Sequence, residues 1–138
     1  MRCALSHGKL ALLGLAAMLA FALASHAEEP AKPMIVKIHA DWCGTCTALE
    51  DTFEALEPQV GGDARIVILD VTDREAVARS QAEADRLGIR AFFDAHKSKT
   101  GTVGVLDAGG APVVVMRGEM DPAKYVAAVK TAAGEPAS

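Results

Sequence analysis

The chain has 138 residues, 51% of them hydrophobic and 23% charged, with 14 Lys and Arg against 18 Asp and Glu for a net charge of −4. That length holds one domain. A mildly acidic chain without basic clusters argues against nucleic acid or an anionic membrane surface as a partner.

The first 27 residues read as a leader. Arg2 and Lys9 precede an almost purely apolar run, Leu10 to Leu23, and Ser25-His26-Ala27 then places small residues where a signal peptidase cuts. This is the layout of a secretory signal peptide, which predicts a periplasmic or secreted protein. A retained membrane anchor is the alternative, although the run is short for a span of about 20 residues. Cys3 precedes the apolar run and would leave with it, so that Cys43 and Cys46 remain as an isolated pair. Without Arg2 and Lys9 the exported chain carries 12 basic and 18 acidic residues, a net charge of −6. About 110 residues suffice for one core. Glu28-Glu29-Pro30-Ala31-Lys32-Pro33 is polar and proline-punctuated, a linker over residues 28–33.

Met34-Ile35-Val36-Lys37-Ile38-His39 is short and β-branched, and predicts a strand with Ile35 and Val36 on opposite covered faces. It runs into Ala40-Asp41-Trp42-Cys43-Gly44-Thr45-Cys46, after which Cys46, Leu49, Phe53 and Leu56 recur at helical spacing up to about Val60. The two thiols therefore flank the first turn of a helix. The unpaired N–H groups and dipole at that end favour a thiolate on the outer sulfur. A low-pKa thiolate attacks disulfides at neutral pH, and a second thiol one turn away can resolve the mixed disulfide. The pattern assigns attack to Cys43 and resolution to Cys46. Trp42, Gly44, Thr45 and His39 are candidates for tuning the pair, with ordinary packing or strand-end roles as their alternatives. A purely structural bridge is a weak alternative, because closing so short a loop constrains the unfolded chain little. Two soft thiolates could also hold Cu(I) or zinc.

The stretch Trp42-Cys43-Gly44-Thr45-Cys46, preceded by the strand from Met34 to Ala40, resembles the active-site strand and helix start of the thioredoxin family. The W-C-x-x-C form is far more specific than a bare C-x-x-C, and the likeness extends more loosely over residues 33–133. It implies a single α/β thioredoxin-like domain over residues 34–133, with a central mixed sheet of about four strands flanked by helices. It also implies a thiol–disulfide oxidoreductase with protein disulfide or dithiol substrates; a reductase recharged by a membrane electron donor is the expected form, while Gly44 and Thr45 leave the direction of electron flow open. No cofactor and no metal ligand set are implied, and the expected state is a monomer. Many family members carry a buried acid six residues before the first cysteine, where it assists proton transfer. Here that place holds Lys37, so the role does not carry over, and a strand lysine is expected to run its stem toward solvent. The family's cis-proline loop, which lies against the dithiol, corresponds to Thr100-Gly101, with no proline. Gly118 matches the family's glycine facing the active site. Thr100, Gly101 and Gly118 are thus the expected substrate contacts.

Farther along, Pro58 is expected to end or kink the first helix and Gly61-Gly62-Asp63 to turn the chain. Arg65 to Val71 is almost continuously apolar and reads as a second buried strand. Thr72-x-x-Glu75 is a capping box opening a helix over Asp73 to Leu87, stopped by Gly88. Ala91 to Lys99 is an insertion. Phe92 and Phe93 within it plug the core beneath a short helix or, alternatively, form a lip at the site, and His96 reads as solvated. Thr102–Asp107 and Ala111–Arg117 make a hairpin around Asp107-Ala108-Gly109-Gly110. Asp121-Pro122 opens a last helix with Val126 and Val129 facing inward, ending near Gly134, and residues 134–138 are a frayed tail. Three functions of different class fit: an exported oxidoreductase, a metal-handling protein, and a binding module that keeps the fold without turnover.

Overall fold

The computed structural model describes residues 31–134. The leader expected over residues 1–27, the first half of the linker and nearly all of the tail lie outside the described residues. The element order is β1 (Met34–His39), α1 (Gly44–Ala48), α2 (Glu50–Val60), β2 (Arg65–Asp70), α3 (Arg74–Arg86), α4 (Arg90–His96), β3 (Thr102–Leu106), β4 (Pro112–Arg117) and α5 (Pro122–Ala132). The four strands form one mixed sheet in the order β2-β1-β3-β4. β1 lies parallel to β2, with Ile35 opposite Ile66, and antiparallel to β3, with Ile35 opposite Val105.

The two faces of β1 explain the layers. Met34, Val36 and Ile38 join Val67, Leu69, Ala84, Phe92 and Phe93 under α3 and α4. Ile35 joins Leu49, Leu56, Val103, Val105, Tyr125 and Val129 under α2 and α5. A central strand covered on both sides needs such a run of apolar residues. The dithiol then follows the carboxyl end of that strand, where open α/β sheets place their sites.

Several local expectations are corrected. The first helix is interrupted at the buried Leu49, whose ψ of −9° falls short of the helical value, and Pro58 sits inside the last turn of α2, which runs on to Val60. β2 is an edge strand rather than a buried one: Val67 and Leu69 are covered while Ile68 is 48% exposed. Asp73, and not Thr72, caps α3, its carboxylate accepting from the Ala76 amide at 2.8 Å. His96 is half-buried, tilted against the Phe92 ring with centroids 4.6 Å apart. Burial lowers its pKa, because the charged ring loses water there.

Other expectations agree with the structure. Phe92 and Phe93 are both buried beneath α4, so they serve the core. β3 and β4 pair as a hairpin, and the Asp107 carboxylate holds its turn by accepting from the Gly109 and Ala111 amides, each at 2.9 Å. Asp121 caps α5 by accepting from the Ala123 amide at 2.9 Å. No helix among the described residues is long and apolar enough to cross a membrane.

Candidate active site

The chain leaves β1 at His39 and makes one turn, closed by the Cys43 amide donating to the Ala40 carbonyl at 3.0 Å. Cys43 is the N-cap of α1, with extended backbone (φ −95°, ψ 107°). In that position its sulfur takes the place of a capping oxygen. It accepts from the Cys46 amide at 3.2 Å, and the Cys46 thiol donates to it from 2.6 Å. Both cysteines are free thiols. The two sulfurs, 2.6 Å apart at the start of one helix, are placed to close a disulfide.

The two sulfurs differ in environment. Cys43 is 8% exposed and Cys46 fully buried. Burial pushes the Cys43 thiol up, but hydrogen bonds from the Cys46 thiol, the Thr100 side chain and the Cys46 and Thr45 backbones outweigh it, and the net shift is downward. Cys46 is pushed up by burial first, then by hydrogen bonding and charge repulsion from Cys43. The Ala40 backbone and the Lys37 charge oppose this only in part. The outer sulfur is therefore the more readily ionised of the two, and the inner one the more firmly protonated.

The residues singled out in the sequence fall into three groups. Thr45, Thr100 and Gly101 converge on Cys43, and Gly118 lies behind them, against Thr45 and Gly101. Gly101 has φ +78°, and a Cβ built on it would lie 2.8 Å from Thr45 Cγ2 and 3.9 Å from Cys43 Sγ. Its amide donates to the Ile38 carbonyl at 2.9 Å and its carbonyl accepts from the Gly118 amide at 3.1 Å. The loop that stands where a cis-proline was expected thus lies against the sulfurs with trans peptide bonds throughout the described residues. Glycine's missing side chain supplies the close approach.

Trp42 is 66% exposed and tethered by its Nε1, which donates to the Thr72 carbonyl at 3.0 Å. It presents a flat apolar ring to solvent at the position just before Cys43. Gly44 faces open space, where a Cβ would meet nothing within 4 Å. His39 turns away to Asp41, Nε2 to Oδ1 at 3.2 Å.

Two residues gain roles the sequence did not suggest. Lys37 does not reach solvent: it is 4% exposed, its Nζ donates to the Cys46 carbonyl at 3.1 Å and stands 5.1 Å from the Phe53 ring centroid. A lone lysine inside a six-residue apolar strand was the available signal, since lysine is almost never fully buried. Thr72 braces the loop before Cys43. Its hydroxyl accepts from the Asp41 amide at 3.0 Å and donates to Asp70 Oδ1 at 2.6 Å. Burial raises the Asp70 carboxyl, but hydrogen bonds from the Thr72 hydroxyl and the Thr72 amide (2.8 Å), with the His39 and Arg79 charges, bring the pKa down.

Comparison with known proteins agrees with this geometry. The family model described as Thioredoxin matches residues 20–100. A protein of Chlamydomonas reinhardtii named "Thioredoxin H-type" is 36% identical over 74 residues, which are 54% of this chain and 60% of that protein's length. Among solved structures, a thiol:disulfide interchange protein of the thioredoxin family from Chlorobium tepidum TLS superposes with a TM-score of 0.50 at 24% identity, covering 75% of this chain and 81% of the other. Trxlp from Edwardsiella tarda EIB202 gives a TM-score of 0.46 at 18% identity, over 72% and 82% of the two chains. With most of its sequence matched by the family model and the expected mixed sheet in place, the chain belongs to the thioredoxin family.

Proposed function

We propose that this protein is an exported thiol–disulfide oxidoreductase that reduces disulfides in protein substrates through Cys43 and Cys46, and is recharged by an electron donor in the membrane. The observation that carries the reading is the asymmetric pair: adjacent sulfurs 2.6 Å apart, the outer with its pKa lowered and the inner with its pKa raised. Family membership and the 36% identity to a thioredoxin support the same chemistry. Export rests on the leader, Arg2 and Lys9 followed by the apolar run Leu10 to Leu23.

The reaction follows from the geometry. The Cys43 thiolate attacks a substrate disulfide, one substrate sulfur leaves, and a mixed disulfide forms. Cys46, one helical turn inward, then attacks Cys43, the second substrate sulfur leaves, and the Cys43–Cys46 disulfide closes. Two electrons pass from the dithiol to the substrate. Trp42, just before Cys43, and the backbone around Gly101, with Gly118 behind it, offer the surface on which a substrate chain would lie.

Equilibration in graded glutathione buffers tests both the chemistry and its direction. A reversible two-electron transition at or below about −220 mV is the expected result for a reductase. A midpoint near about −120 mV would make the protein a disulfide donor. Absence of any reversible Cys43–Cys46 transition would overturn the reading.

A further inference from the structure

Lys37 is a buried cation with no carboxylate paired to it among the described residues. It is 4% exposed. Of its three donors, one meets a neutral acceptor, the Cys46 carbonyl at 3.1 Å, and the ammonium stands 5.1 Å from the Phe53 ring centroid. Taking a cation out of water on these terms is costly unless negative charge appears nearby. A group that can become negative lies on the residue it holds: the Cys46 thiol, whose own backbone carbonyl accepts from Lys37 Nζ at 3.1 Å. An ammonium has no lone pair, so Lys37 in this form cannot take a proton from Cys46 as a carboxylate at that place could. What it can supply is a positive field.

We propose that Lys37 is the positioning residue of the resolving step, its buried ammonium stabilising negative charge on Cys46 while the mixed disulfide at Cys43 is broken. This rests on the reading of Cys43 and Cys46 as an exchange pair. In the free dithiol, Cys43 is the first of the pair to ionise and its charge then opposes ionisation of Cys46, while Lys37 favours it. Once Cys43 is tied to substrate its charge is gone, and of those two fields the lysine's remains. The step balances as follows. Cys46 gives its proton to water, its sulfur bonds to Cys43 Sγ, and the bond between Cys43 and the substrate sulfur breaks. That sulfur leaves with the electron pair as a thiolate and takes a proton from solvent.

A chromogenic aromatic disulfide separates the two steps in the full chain, because attack by Cys43 and resolution by Cys46 each release one coloured thiolate. Lys37→Met removes charge and donor, whereas Lys37→Gln removes the charge and keeps a donor for the Cys46 carbonyl. Loss of an adjacent opposite charge raises a thiol pKa by about one unit or more. A more basic thiolate is also a better nucleophile, with a slope of about 0.4–0.5, so the second release should slow about three- to fourfold at pH 7. Its pH midpoint should rise by about one unit in both variants, with the first release within about twofold of the parent. An unmoved midpoint in both variants would overturn the proposal. So would a Lys37→Gln variant that resolves like the parent, because the hydrogen bond and not the charge would then be at work. If the parent itself gives no first release, the oxidoreductase reading fails and takes this proposal with it.

Discussion

Replacing Gly101 with alanine perturbs the site through one methyl group, and the structure sets the size of the effect. Gly101 has φ +78°, a conformation that costs an L-residue about 1–2 kcal/mol. The new Cβ would stand 2.8 Å from Thr45 Cγ2 and 3.1 Å from Thr45 Cβ. Relief by moving the backbone is blocked on both sides, since the Gly101 amide is bonded to Ile38 and its carbonyl to Gly118. Thr45 must move instead, and forced overpacking of this kind costs about 1–3 kcal/mol. Gly101→Ala should therefore lose about 2–5 kcal/mol in urea unfolding. Thr45→Ala in the same chain removes Cγ2 and should recover about 1–2 kcal/mol as a coupling energy, leaving the backbone share. Because the Thr45 backbone also stabilises the Cys43 thiolate, Gly101→Ala should raise the pH midpoint of Cys43 alkylation. A loss below about 0.5 kcal/mol, with no coupling to Thr45, would refute the close approach of this loop to the dithiol.

Three further outcomes are expected. In the reduced protein, Cys43 alkylation should have a pH midpoint below the usual thiol value of about 8.5. Because this pKa is lower folded than unfolded, its contribution to stability is full above the ordinary thiol value and is lost as pH falls through the lowered one. Thr72→Val removes the acceptor for the exposed Asp41 amide, so about 0.5–1.5 kcal/mol of stability should go, and emission from Trp42, the single tryptophan, should report a looser loop. Tyr125, the single tyrosine, is fully buried, donates to the Glu119 carbonyl at 2.8 Å and has its pKa pushed up to about 12 by burial and then by the Glu119 charge. Its ultraviolet titration should therefore lag that of free tyrosine. The unfolded chain ionises first, so this contribution is full below about pH 10 and is lost as pH rises toward 12.

The parts of the fold that were legible are those specified locally. The β-branched run of β1, the Asp107-Ala108-Gly109-Gly110 turn and the Asp121-Pro122 start of α5 each carry their own signal, and each element lies where that signal put it. The Trp42-Cys43-Gly44-Thr45-Cys46 motif located the dithiol for the same reason. What was not legible depends on partners far along the chain. Ile68 belongs to as apolar a stretch as β1, but sheet order leaves β2 at an edge with half of that side chain in water. Thr72 fits a capping box, yet Asp73 takes the cap because the Thr72 hydroxyl is engaged by Asp41 and Asp70. Lys37 looked like a surface lysine because nothing in its own strand shows that Phe53 and the Cys46 carbonyl close over it.

Trapping the mixed disulfide tests the central claim most directly. With Cys46→Ser and a peptide disulfide as substrate, mass spectrometry should find a stable covalent adduct on Cys43, while Cys43→Ser forms little or none. An adduct preferentially on Cys46, or equal adducts in the two variants, would contradict attack by the outer sulfur and the division of labour built on it.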